Sequence, residues 1–131
     1  MEGKILKDIF RRRLELAERF LNTSKTNLEH GDLRSAVDRA YYAMFHAAHA
    51  ALALKGVEEP KTHKGLMTQF GSEIIKAGHI DKDLGRTLWD AYDMRQKGDY
   101  DIYADFGEER VKELINRARE FIRAIRGLLK G

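Results

Sequence analysis

The 131-residue chain has no cysteine and one proline. Without thiols it forms no disulfide and performs no thiolate chemistry, and nothing in it argues for secretion. Long apolar runs are missing too. The least polar stretch, residues 40 to 54, carries His46 and His49 and is shorter than the roughly 20 residues that span a bilayer, so no membrane segment is expected. No basic n-region followed by an apolar h-region opens the chain, which points to the cytoplasm. Asparagine and glutamine are scarce, and with abundant Lys, Arg and Glu this suits a thermophile. There is neither a phosphate-cradling P-loop nor a dinucleotide fingerprint, and no cofactor is expected.

Charge, by contrast, is plentiful. Charged residues make up 34% of the chain, yet the net charge is only +3. That mix resembles a surface laced with ion pairs and not a nucleic-acid-binding tail. The pI near 9.2 permits an anionic partner without demanding one. The length fits one domain, residues 1 to 131, with one core.

Apolar spacing of 3.6 residues predicts five helices and almost no strand. The first runs from about 4 to 29, with Leu6, Ile9, Phe10, Leu14, Ala17, Phe20, Leu21 and Leu28 on one stripe and Arg13 within it, its stem able to snorkel. Gly31 reads as a stop and Asp32 as the cap of a second helix, about 33 to 55. Pro60 marks the break after it. Thr62 can cap a short third helix to about 77, and Asp81 a fourth, about 82 to 97. Asp105 and Glu108 resemble a capping box opening a fifth, about 106 to 129. Long helices and short turns make the fold all-α: an antiparallel up-and-down bundle of four long helices and one short.

The second helix has an unusual outer face: Ser35, Asp38, Arg39, Tyr42, His46 and His49, with no Lys or Glu. Such composition suits a pocket or an interface, and a two-fold homodimer would bury it against its own copy. His46 and His49 share a face at three-residue spacing, but zinc takes at least three protein ligands, so no metal site is expected. Arg119, Arg123, Arg126 and Lys130 form a basic stripe on the last helix, suited to phosphates or simply to a solvated C-terminal face. Trp89 lies off the core stripe of the fourth helix, as an interface anchor or a cap on the bundle.

Chemistry concentrates in residues 95 to 103, where nine residues hold Arg95, Lys97, Asp99, Tyr100, Asp101 and Tyr103. Arg95 falls on the inward stripe of the fourth helix, and a buried charge needs partners. Asp99 and Asp101 are the local candidates. The arrangement reads either as an ion pair pinning the loop or as a guanidinium aimed into a cleft for phosphate.

Three stretches together resemble the HEPN domain family: Arg39 to Ala48, Pro60 to Leu66, and Met94 to Asp101. The resemblance implies an all-α bundle that commonly dimerises and is often paired with a minimal nucleotidyltransferase in a toxin–antitoxin-like module. It also implies, for many members, metal-independent ribonuclease activity. That activity uses an arginine followed after four to six residues by a histidine, and in some members a tyrosine two residues further on accepts a nucleotide. Arg95 matches the arginine, but Tyr100, Asp101 and Ile102 fill the histidine positions. Asp101 and Tyr103 keep the acceptor spacing with aspartate in the histidine's place. An aspartate ionised at neutral pH is a poor general acid and repels a phosphodiester. The reading is therefore a non-catalytic or weakly catalytic HEPN protein that binds nucleotide or RNA phosphate. Its site candidates are Arg95, Asp99, Tyr100, Asp101 and Tyr103, with Arg39, Tyr42, His46 and His49 on the second helix. The alternatives are a ribonuclease toxin, with His46, His49 or His63 standing in for the motif histidine, and a structural adaptor without ligand.

Overall fold

A computed structural model describes residues 2–101 and 104–129. Among them are five α-helices and no strand: α1 (Glu2–Glu29), α2 (Leu33–Leu54), α3 (His63–Phe70), α4 (Lys82–Tyr100) and α5 (Glu108–Gly127). This is the expected antiparallel bundle of four long helices and one short. Its joints follow local chemistry. Gly31, at φ 77°, takes the left-handed conformation that turns the chain after α1, and the Asp32 amide donates back to the Asn27 carbonyl at 2.9 Å. The Asp32 carboxylate then accepts from the Ser35 amide, Thr62 Oγ1 from Gly65, and Asp81 from Asp83.

The boundaries differ from expectation in three places. After α3 the chain passes into a π-helical turn, Gly71–Ile75, so the third helix is not one regular rod to residue 77. The capping box at α5 does not form. Asp105 Oδ1 accepts from the Gly107 amide at 3.1 Å, and Gly107 is the cap residue with no side-chain partner at this end. Finally, α4 continues past Lys97 to Tyr100. Gly98 is no stop, because a Cβ there would lie 3.3 Å from the ring of buried Phe106, so the glycine serves close packing.

The core is centred on α2, which touches every other helix and the π turn. Its small side chains Ala36, Ala40, Ala47, Ala48 and Ala51 are fully buried, letting neighbours approach closely. Where α1 meets α2, buried Ser24 donates to the Ala36 carbonyl at 2.6 Å, giving its hydroxyl the partner that burial requires. One residue of the predicted α1 stripe departs from it. Ile9 is 40% exposed, whereas half-buried Phe20 packs against the core and also meets Tyr42 and His46 of α2.

Candidate functional site

Arg95 stands one and a half turns before the end of α4, its side chain 20% exposed. Its Nε donates to Asp38 Oδ1 at 3.2 Å and its Nη2 lies 3.4 Å from Asp99 Oδ2. The expected partners were Asp99 and Asp101. Asp99 does pair, as an i, i+4 neighbour, but the directional hydrogen bond comes from α2. Asp38 places its other oxygen on Arg39, accepting from Nη2 at 2.6 Å and Nε at 3.1 Å. One carboxylate thus anchors two guanidinium groups. Nothing local in the sequence marks Asp38 as this anchor, because its partner is 57 residues away.

Both cations rest on aromatic rings. The Arg95 guanidinium carbon is 5.0 Å from the Tyr42 ring centre and 5.6 Å from that of Tyr41. The Arg39 carbon is 4.7 Å from Phe20 and 5.5 Å from Tyr42. These are cation–π distances, favourable for each charge. Burial opposes the Arg95 charge, but Tyr42, Asp38 and Asp99 outweigh it, and the group holds its proton more firmly than usual. Beside the pair opens a hollow of about 670 Å³, lined by Asn27, Arg34, Ser35, Asp38, Arg39, Gly98 and Asp99.

Arg34 has a second task. Its guanidinium donates to the carbonyls of Gly98, Asp101 (2.9 Å) and Ala104 (3.1 Å). It thereby gives the Gly98 carbonyl, in the last turn of α4, a donor and ties Asp101 and Ala104 beyond the helix to α2. Tyr100, the last residue of α4, is 82% exposed. Ile102 and Tyr103, and with them the acceptor-tyrosine position, lie outside the described residues.

The α2 polar face is divided. Arg39 and Tyr42 join Arg95, whereas His46 and His49 turn toward α1. Arg13 does not merely snorkel: its Nη1 donates to His46 Nδ1 at 3.0 Å and its Nη2 to Glu59. Guanidinium nitrogens only donate, so His46 Nδ1 is the acceptor and its proton sits on Nε2. The His46 ring stacks on Phe20 with centres 5.0 Å apart. Burial, then Arg13 and His49, hold His46 down to about 4; burial, then Arg13 and His63, do the same for His49. Both are neutral at pH 7. Among the described residues no group of three or more His, Asp or Glu side chains is placed to hold a metal ion.

His63 opens α3 and shares a 2.5 Å hydrogen bond with the hydroxyl of buried Tyr41. Burial raises the Tyr41 phenol above its ordinary range. Burial and the nearby Arg95 lower His63. Arg95 and His63 therefore border the same two rings, Tyr41 and Tyr42. On α5, Arg126 pairs with Glu18 and Arg119 donates to Asn116, so part of the basic stripe is engaged within the protein; Lys130 lies outside the described residues.

The HEPN domain model matches residues 10–128. The chain belongs to the HEPN domain family. It is 37% identical to a Thermotoga maritima protein named "UPF0332 protein", over 87% of this chain and 86% of that one. It is also 37% identical to the Methanocaldococcus jannaschii protein named "Putative toxin MJ0605", over 89% and 86%, and 32% identical to an Archaeoglobus fulgidus "UPF0332 protein", over 84% and 86%. No described helix of this HEPN protein is long and apolar enough to cross a membrane.

Proposed function

We propose that this single-domain HEPN protein is a non-catalytic or weakly catalytic cytoplasmic homodimer. In this reading it binds nucleotide or RNA phosphate and partners a minimal nucleotidyltransferase in a toxin–antitoxin-like module. The observation that carries the binding reading is the Arg39–Asp38–Arg95 unit seated on Tyr42 beside an open polar hollow. Arg34 and Arg39 line the hollow with the carboxylates Asp38 and Asp99, and Arg95 adds a third cation that pairs with both of those carboxylates. Planar guanidinium forks suit phosphate oxygens, and the carboxylates fix where the forks point. Exposed Tyr100 offers a ring to a base, an interaction worth roughly 1–3 kcal/mol. The toxin name carried by a close relative supports the module. Aspartate at 101, in the position of the motif histidine, argues against efficient cleavage.

One observation favours the ribonuclease alternative: His63 borders the same tyrosine pair as Arg95. The two readings separate on labelled single-stranded RNA incubated with wild type, Arg95→Ala and His63→Ala, following anisotropy and product length together. The binding reading expects intact RNA, with affinity reduced about tenfold or more by Arg95→Ala, as for loss of a charged hydrogen bond. Cleavage that needs both Arg95 and His63 would replace it with the ribonuclease reading.

A further inference from the structure

A second cavity lies on the opposite stretch of the α2 face, between the first turns of α1, the C-terminal end of α2 and the loop to α3. It encloses about 250 Å³. Leu6, Ile9, Leu52, Val57 and Pro60 give it apolar walls. Arg13, His49 and Glu59 supply its polar groups. The volume is just below the roughly 300–1,000 Å³ of drug-sized sites, which suits a small molecule.

The arrangement of those three polar groups identifies the ligand chemistry. Glu59 Oε1 accepts from the Arg13 guanidinium and stands 3.9 Å from His49 Nδ1. A carboxylate oxygen therefore sits where a guanidinium and an imidazole converge on the cavity. Glu59, however, belongs to a loop, and its side chain is 64% exposed. An ion pair so open to water contributes little, and water can take over its carboxylate. Arg13, by contrast, is only 27% exposed and is fixed from behind by His46. His49 is 6% exposed, and beyond hydrogen-bond reach of Glu59. The receptor groups are built in, while the carboxylate that answers them is removable.

We infer that this cavity binds a small aliphatic monocarboxylate, its carboxylate replacing Glu59 on Arg13 and His49 and its hydrocarbon body lying among Leu6, Ile9, Leu52 and Val57. His49 donates through Nδ1–H, and the displaced Glu59 swings into water. The site is separate from the Arg95 unit and does not depend on the phosphate-binding reading.

Titrating the full chain with sodium hexanoate, followed by amide and imidazole NMR shifts, tests this. Saturable shifts are expected around residues 6–13 and 49–60, including the His49 ring. Affinity should rise about threefold to fourfold per methylene from propionate to hexanoate, as each CH₂ leaves water. Arg13→Gln should weaken binding about tenfold or more. Glu59→Gln removes the competing carboxylate and should tighten it, a gain that misfolding cannot imitate. Arg95→Ala should leave hexanoate binding unchanged, whatever it does to RNA. Absence of saturable shifts, equal binding of hexylamine, or weaker binding by Glu59→Gln would each overturn the inference.

Discussion

At His46 and His49, burial and the Arg13 cation outweigh the imidazole's usual basicity, and the sign of the consequence is definite. Both rings titrate near 4 in the folded chain, against roughly 6.5 when unfolded. Between those values the unfolded chain takes up protons that the folded chain refuses. The stability is therefore complete above about pH 6.5 and falls as the pH drops toward 4. Urea unfolding should show a lower midpoint at pH 5 than at pH 7, and the difference should shrink in a His46→Gln, His49→Gln double variant. An unchanged difference would place the pH sensitivity elsewhere. The residue types were legible in the sequence: the helix face of Arg, Tyr and His without Lys or Glu does carry Arg39 and Tyr42 against Arg95, and His46 against Arg13. The pairings were not. Asp38 with Arg95, Arg13 with His46, and His63 with Tyr41 join residues 22 to 57 positions apart. Only helix packing sets those distances.

At the scale of the element, α4 shows how a neighbour moves a boundary. The fourth helix is expected to end at about 97, but Arg34 on α2 donates to the Gly98 carbonyl, and three more residues stay helical. Lysine at 34 would present one compact ammonium in place of a planar fork and could not span three carbonyls. Arg34→Lys is therefore expected to speed amide hydrogen exchange across residues 98 to 104 while leaving α2 and α5 protected. Equal exchange in both proteins would show that Phe106 packing alone holds this end of the helix. The absent capping box at α5 has a similar origin. Gly107 takes φ 72° and ψ 142°, and Asp105 turns its carboxylate onto the Gly107 amide instead of the first turn of the helix.

For the whole molecule, the proposed homodimer makes a testable demand on one surface. Trp89, 43% exposed, meets Tyr92 edge-on with ring centres 6.4 Å apart, and Tyr92 in turn lies 5.7 Å from Tyr41. An exposed tryptophan continuous with the aromatic cluster under Arg95 is the type of anchor that interfaces use. Sedimentation equilibrium should give twice the 15.1 kDa of one chain at micromolar concentration, and Trp89→Asp should return the protein to one chain's mass. A wild-type mass of one chain would remove the homodimer from the proposed function.

The sequence by itself determined the all-α bundle, because apolar residues at 3.6-residue spacing must face a common core, and turn glycines and capping side chains act locally. It also determined the family, since that rests on short stretches of adjacent residues. Tertiary structure alone decided that Arg95 meets Asp38, that His46 meets Arg13, and that Phe20 also meets Arg39 and His46 on the outer face of α2. Those outcomes depend on the rotation and approach of one helix against another. The side chains that specify them are scattered along the chain, and no local pattern records where they meet.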